Sequence, residues 1–430
     1  MSAKPASISL FTATCLVVAN MIGTGVFTSV GYQLLGLNAF PILLLWLIGG
    51  ICAFCGGVSY AELAAALPRS GGEYHFLARI YHPSVGFLAG WVSITAGFAA
   101  PVALAAIAFG QYIQGVWPGL HAPWLAGAAV LAVTALLLAT PRLRVLFQDG
   151  ATSLKVALLL VFIVFGWAAK GDGGSLRPQA GDGGQLLSGE FAVSLVYVMY
   201  AYAGWNASAY LAGEVRNPTR NVPLSMALGT LVVGTLYLAV NAVFLHLAPV
   251  SELRGQAEVG LIAAQHAFGA QGGRAVALLI AIGLLSTIGA MQWIGPRVLV
   301  AMGQDHPVLK PLAGLDRRGL PMAATVAQTA LVFVLLKNGT FQDVLTYVQV
   351  TITFCSFLTV LGVFVLRWRE PQLARPLRAW GYPVTPIVFL AVNGWMMAHA
   401  FVQNPLASGG GLATILGGWL VYYFTTRSRK

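Results

Sequence analysis

The sequence predicts an all-α integral membrane protein, and three observations predict it. Of its 430 residues 58% are hydrophobic and only 9% are charged, a balance outside the range of soluble domains. Apolar runs long enough to cross a hydrocarbon core of about 30 Å as helices recur from end to end, with only short polar pieces between them. They leave no room for a separate globular domain. Two of the runs are also broken at their centres, at Ile22-Gly23-Thr24-Gly25-Val26-Phe27 and at Ala203-Gly204-Trp205-Asn206. Glycine costs a helix interior about 1 kcal/mol relative to alanine. Any backbone group freed inside a bilayer must then find another polar partner. A broken centre therefore marks a place for a ligand, although two glycines also serve the close approach of a neighbouring helix.

The first span runs from Ile8 to about Gly31 and carries the first break. A half-helix beginning there turns N–H groups and a positive dipole end toward a carboxylate, and carbonyls across the break suit an ammonium or another cation. The second span, Phe40 to Leu67, stops before Pro68, and Arg69 to His75, with two glycines, reads as a tight or re-entrant cytoplasmic loop. The third span is Val85 to Val116 and the fourth Pro123 to Thr140, followed by a cytoplasmic turn at Pro141 to Arg144. The fifth, Ala151 to Ala168, contains Lys155, placed about one turn in, where it either snorkels to the surface or points inward. Lys170 to Gly189 is a flexible, solvated outer linker rich in Gly and Asp.

The sixth span, Glu190 to Ala212, carries the second break. Breaks in the first and sixth spans are expected if spans one to five and six to ten are inverted repeats whose first helices are both discontinuous. A turn at Glu214 to Pro223 leads to the seventh span, Leu224 to Leu247. After an outer loop from Pro249 to Gln271 comes the eighth, Ala275 to Met302, with Ser286-Thr287-Ile288-Gly289. Spans nine to twelve follow at Met322 to Leu336, Val344 to Leu366, Val384 to Val402 and Leu412 to Phe424. The chain thus divides into a first repeat (8–169), a second repeat (189–367) and two additional C-terminal helices (380–426).

The net charge of +11 is not a nucleic-acid footprint. With a cytoplasmic N-terminus and twelve spans, only Lys170, Arg177, Arg254, Arg274 and Lys337 of the 24 Lys and Arg face outward, and Lys155 stays in a span. The rest, Lys4, Arg429 and Lys430 among them, face the cytoplasm, which is the positive-inside pattern of a cell membrane with both termini inside. Met1 to Ser9 leads into a run too long for a signal peptide, so the first span is expected to be retained. Cys52 and Cys55 form a CxxC on a spanning helix without a second pair, which reads as packing rather than metal or redox chemistry. No metal-ligand spacing, phosphate loop or nucleophile triad stands in a plausible context, so an enzyme, a cofactor and a metal are not expected.

Three motifs in order, Ile22 to Phe27, then Tyr60-Ala61-Glu62-Leu63 with Leu67 to Tyr74, and then Tyr200 to Asn206 followed by Asn217-Pro218, resemble the amino acid–polyamine–organocation (APC) superfamily, especially its L-type amino acid transporter branch. The resemblance covers nearly the whole chain. It implies the LeuT fold, with a five-plus-five inverted repeat and two extra helices, and secondary active transport or exchange of amino acids. On the matching positions it implies that the N–H groups of Gly23, Thr24 and Gly25 bind the substrate carboxylate. Carbonyls near Met21, Ile22, Tyr200 and Ala203 would take the α-ammonium, Asn206 would line the site, and Tyr200 and Trp205 would gate it. Thr24 stands for the commoner serine, and Tyr200 stands where the family usually has a phenylalanine. The three aromatics of the Tyr200–Trp205 stretch also suit plain packing, and Glu62 and Glu73 suit hydrogen bonds that close an inner gate.

Lys155 matches a lysine on the fifth span of several L-type and proton-coupled members. Its ammonium would bridge carbonyls of the broken first span to Ser286 or Thr287, replacing the cation of sodium-coupled relatives. Sodium-independent exchange follows if it keeps its proton, and proton symport if it releases it. No Asp or Glu lies deep in spans one, three, six, eight or ten, so a neutral amino acid is expected, with a cationic amino acid or amine as the alternative through cation–π contact. A nutrient sensor or a channel on the same scaffold is the rival from another class. The loop from Gly115 to Pro123 has no cysteine, so no disulfide-linked heavy subunit is expected; the partners are the substrate and the lipid bilayer.

Overall fold

Leu10–Met21 (α1) and Gly25–Gln33 (α2) are the two halves of one interrupted helix in the computed structural model, which describes residues 8–174, 176–256, 258–338, 341–403 and 405–427. Lys4, Arg429 and Lys430 lie outside the described residues. The Ser9 hydroxyl caps α1, accepting from the Thr12 N–H at 3.1 Å, and the helix ends where Gly23 and Thr24 interrupt the hydrogen-bond ladder. Ala39–Ala66 (α3) follows and stops ahead of Pro68. Gly71 (φ 122°) and Gly72 (φ 53°) then turn the chain through conformations that side chains avoid. The turn sends Glu73–Ile80 (α4) back toward the bundle, so the re-entrant segment is a short helix with Glu73, Tyr74 and Phe76 buried.

The third span is not one regular helix. Pro83–Val92 (α5) widens into a π-helical stretch, Ser93–Ala99, before Ala100–Val116 (α6) restores the α ladder. Pro101, which lacks an N–H, sits at the start of α6 and accounts for the slipped register. Ala122–Ala139 (α7) and Pro141–Ala168 (α8) come next. The expected turn at Pro141 to Arg144 is instead the first turn of α8, because Thr140 caps the Leu143 N–H and proline is preorganised at the first helical position. Lys155 is consequently mid-helix and only 2% exposed, and it does not snorkel.

The outer linker is not free either. Within it Asp182–Gln185 (α9) is fastened to the start of α3 by the Asn38 side chain donating to Asp182 at 2.7 Å and the Asn38 N–H donating to Gln185 at 2.8 Å. Gly189–Tyr202 (α10) ends at the second break and gives way to a 3-10 segment, Ala207–Glu214. Pro218–Leu247 (α11), Val250–Leu253 (α12) and Val259–Asp305 (α13) follow, the last bent at Gly269 (φ 69°). Met322–Asn338 (α14), Phe341–Arg369 (α15), Val384–Gln403 (α16) and Pro405–Arg427 (α17) complete the chain.

Among the described residues there is no strand, only an isolated parallel bridge between Ile8 and Val215. Among the described residues nine helices are long and apolar enough to cross a membrane. The expected spans six, nine and twelve are not among them: α10 is cut to 14 residues by the break, the apolar part of α14 is short, and α17 adjoins residues outside the description. The most apolar stretch of the broken first helix is 78% buried, whereas those of α7 and α8 are 33% buried. The interrupted helix is therefore central, and α7 and α8, like the 28% buried stretch of α16, lie at the periphery of the bundle. At one end of the bundle Glu62 on α3 takes two hydrogen bonds from Arg367, at 2.9 and 2.6 Å, and one from the Ala379 N–H at 2.8 Å, tying α3 to α15 and to the segment after it.

Candidate functional site

The first break is held open by side chains from other helices. Lys155 on α8 reaches it with Nζ 2.7 Å from the Ile22 carbonyl and 2.8 Å from Thr287 Oγ1 on α13. Thr287 itself lies 2.8 Å from the same carbonyl, so ammonium, hydroxyl and carbonyl form a closed triangle. Among the described residues Lys155 makes no ion pair. Its charge rests on neutral oxygens, which is how a bound metal cation would be held. Ser286 turns the other way, with Oγ 3.1 Å from Thr152 and its carbonyl accepting from Gln148 at 3.3 Å. The Ile22 carbonyl is therefore committed to Lys155 and Thr287, not to the cavity.

The remaining groups of the break divide into used and open. The Gly23 N–H donates back to the Met21 carbonyl at 2.9 Å, so it is not free for an anion. Thr24 makes no side-chain cap on α2, and the first N–H groups of that half-helix, beginning with Gly25, follow the interruption. Gly25 is also where α2 meets α10, because a Cβ there would lie 2.9 Å from the Ala201 backbone and 3.2 Å from the Tyr200 ring. Close helix approach and a place on the cavity wall are thus joined at one residue. Gly23 differs, as its added Cβ would touch only the Thr287 methyl at an ordinary 3.6 Å.

The second break is made by backbone. Gly204 has φ 106°, and a Cβ on it would sit 2.5 Å from Asn20 Nδ2. The Ala203 N–H bonds back to the Tyr200 carbonyl at 3.0 Å, which commits that carbonyl within the chain. Tyr237 on α11 joins the two breaks, with its hydroxyl 2.6 Å from the Met21 carbonyl and 2.9 Å from the Ala201 carbonyl. Trp205 faces away from the cavity, its ring against Tyr60 at 4.5 Å and Phe389 at 6.0 Å.

Between the breaks lies a cavity of about 60 Å³, lined by Met21, Gly23, Thr24, Gly25, Tyr200, Ala203 and Asn206, with Val92, Gly97 and Phe98 of the third span opposite. That exceeds the roughly 10–15 Å³ that a cavity needs to hold one water. Two lining residues lie outside the expected site. Asn20, one turn before the break, is 6% exposed, and its Oδ1 is buried without a hydrogen-bond partner. A lone amide late in an apolar run is the only signal it offers. Glu73, brought in by α4, is 3% exposed and forms part of the wall. Its Oε1 accepts from the Tyr60 hydroxyl, from Asn206 Nδ2 at 3.2 Å and from Ser356 Oγ at 2.9 Å. Burial pushes its carboxyl up from the usual range. The expectation of a cavity without an acid holds for the spans but not for the re-entrant helix. At one end of the site, then, are the amides of a half-helix and a hydroxyl, and at the other an amide oxygen and a carboxyl, an arrangement that suits a small zwitterion.

A helical membrane bundle with two interrupted helices around a dipolar cavity has the architecture of a transport protein. The chain belongs to the amino acid permease family, which it matches over residues 8–422, and so to the APC superfamily. It is 24% identical over 428 residues to b(0,+)-type amino acid transporter 1 of Mus musculus, covering 97% of this chain and 87% of the relative. Asc-type amino acid transporter 1 of the same organism is 25% identical, with 97% and 80% covered. Large neutral amino acids transporter small subunit 2, also of Mus musculus, is 27% identical with the same coverage, 97% and 80%.

Proposed function

We propose that the protein is a secondary active transporter of the cell membrane that exchanges neutral L-amino acids by alternating access and without sodium. The fold expected to carry this is LeuT-like, with twelve helices, inverted repeats over 8–169 and 189–367, and both termini in the cytoplasm. The observation that carries the reading is the Lys155 ammonium, 2.7 Å from the Ile22 carbonyl and 2.8 Å from Thr287, a cation already supplied by the chain at the broken helix. In this reading the amides of Thr24 and Gly25 hold the substrate carboxylate, and the Ala203 carbonyl with Asn20 Oδ1 receives the α-ammonium. Tyr200 and Asn206 close the cavity, and Met21 and Ile22 set the shape of the break.

Uptake of labelled amino acids into counter-loaded proteoliposomes tests this. Saturable, stereoselective uptake that needs internal substrate and no sodium is expected, and strict sodium dependence would overturn it. Binding without flux would favour a sensor, and current that does not saturate a channel. Proton symport is the second reading, favoured by an ammonium held by neutral acceptors alone. It predicts uptake driven by an imposed pH gradient into empty vesicles. We also expect the chain to work without a disulfide-linked partner, since all four cysteines are buried.

A further inference from the structure

Two of the cavities outside the transport site share one seam, between α3 and α11. The upper cavity, of about 310 Å³, lies between Trp46, Gly50 and Phe54 of α3 and Thr230, Gly234 and Thr235 of α11, with Tyr202 behind it. The lower, of about 370 Å³, lies at the end of the bundle where Arg367 holds Glu62, between Val58 and Ala61 of α3, Arg220 and Leu224 of α11, and Trp380 of the segment after α15. Late α3 meets early α11 in the lower cavity and the middles of both helices meet in the upper, so the two follow each other along one groove. At 1.5 Å per residue, Ala61 and Trp46 stand about 22 Å apart along α3. That exceeds the ~15 Å half-thickness of a hydrocarbon core. Leu47, Ile51 and Leu231, exposed by 45%, 51% and 62%, show that the groove opens on the outside of the bundle.

The upper cavity suits hydrocarbon, because its polar groups are already used. The Tyr202 hydroxyl donates to the Trp46 carbonyl at 3.1 Å, Thr230 to the Met226 carbonyl at 2.8 Å and Thr235 to the Leu231 carbonyl at 3.0 Å. The lower cavity adds a charge. Arg220 is the only charged residue in its wall, is exposed, and makes no ion pair among the described residues. Glu62, the residue after Ala61, is taken by Arg367 at 2.6 Å and does not neutralise it. Trp380, 64% exposed, stands at the same mouth, as aromatic residues do where a bilayer meets water. A guanidinium at the wet end of a long apolar groove is complementary to a phosphate that carries acyl chains. We propose that the groove between α3 and α11 binds an anionic glycerophospholipid, with its phosphate on Arg220 and one acyl chain running along the groove to Tyr202. A sterol would leave the guanidinium without an acceptor, and a soluble anion would leave both apolar cavities unfilled. The Tyr202 ring lies 5.1 Å from that of Tyr237, whose hydroxyl joins the two breaks, so the lipid braces the second break from behind.

The site needs only that the protein sits in a bilayer, and lipid retention is read without transport, so this assignment and amino acid exchange fail separately. Native mass spectrometry of the full-length protein in detergent is titrated with phosphatidylglycerol and with phosphatidylcholine of the same acyl chains. The wild type is expected to hold phosphatidylglycerol about tenfold more tightly, the size of one charge-assisted contact. Arg220→Gln removes a charge at an exposed position outside the transport site and is expected to bring the two lipids to parity. Gly234→Leu fills the upper cavity, since an added Cβ there meets only the Tyr202 side chain at 3.9 Å, and is expected to lose retention of both. Phosphatidylglycerol is also expected to raise the melting temperature of the wild type and not that of Gly234→Leu. Equal retention of the two lipids by the wild type, a preference unmoved by Arg220→Gln, no rise in melting temperature, or tighter binding of cholesterol or of glycerol phosphate than of phosphatidylglycerol would each overturn the assignment. If neither variant is recovered folded, the wild-type preferences over phosphatidylcholine, cholesterol and glycerol phosphate decide alone.

Discussion

At the first break the chain is held apart by groups that come from elsewhere, the Lys155 ammonium and the Thr287 hydroxyl converging on the Ile22 carbonyl. At the second the chain holds itself apart, with Gly204 at φ 106° and a 3-10 segment following it. The first is therefore sensitive to side chains at a distance and tolerant at Gly23. The second is sensitive at its glycine. A break made by borrowed groups has a charge whose protonation or position can change during a cycle, whereas a break made by φ/ψ is a fixed fitting. On this comparison the first helix is the element that responds and the second is the template it works against.

The largest effect is expected where the borrowed charge is removed. Lys155→Ala deletes two charge-assisted hydrogen bonds worth about 1.5–3 kcal/mol each, and exchange should fall by about a hundredfold or more. The measurement is exchange rate against substrate concentration in proteoliposomes, with surface labelling to count carriers. Undiminished exchange in this variant would show that the first break does not depend on Lys155.

Next comes the pair of glycines that distinguishes the breaks. Gly204→Ala forces a side chain onto positive φ and drives a Cβ to 2.5 Å from Asn20, at a cost of about 2–4 kcal/mol. Gly23→Ala meets only the Thr287 methyl at 3.6 Å and should change stability by less than about 1 kcal/mol. Thermal unfolding in one detergent ranks the two, and equal melting temperatures would erase the difference drawn between the breaks. Tyr237→Phe comes third. It strips the hydroxyl shared by the Met21 and Ala201 carbonyls, so a loss of about 1–2 kcal/mol and a roughly tenfold weaker substrate affinity are expected. Calorimetric titration checks this, and an unchanged affinity would mean that the breaks are not coupled through α11.

How far the sequence reveals these features depends on whether each one is local. Both breaks are legible because each sets glycine beside polar residues inside an apolar run, and the pair falls on the first and sixth spans. Lys155 is legible because a charge there has no cheap surroundings. The start of α8 is misread, since Pro141 to Arg144 looks like a turn when composition is read ahead of the Thr140 cap and the proline after it. Ser286 and Thr287 are adjacent, and only the roll of α13 decides that Thr287 meets Lys155 while Ser286 meets Thr152. The place of Glu73 on the cavity wall is hidden for a stronger reason. The residue belongs to a loop in the sequence and to the cavity in space, and two glycines of positive φ separate those descriptions.

The smallest predicted effect tests the open side of the first break most cleanly. Gly25 is a poor probe, because any side chain there strikes Ala201 at 2.9 Å, and loss of function would follow from packing alone. Thr24 avoids that difficulty. It is 4% exposed, lines the cavity and makes no cap on α2 with its side chain. Thr24→Val keeps the shape and removes only the hydroxyl, so stability should move by less than about 0.5 kcal/mol. If that hydroxyl assists the half-helix amides in holding a carboxylate, affinity should drop by about three- to tenfold, corresponding to a net hydrogen bond of about 1 kcal/mol. The drop should be the same for every amino acid, since all share the carboxylate, whereas a drop confined to particular side chains would move the carboxylate away from the start of α2. Titration of a small panel on the variant and the wild type reads both the size and the uniformity of the change.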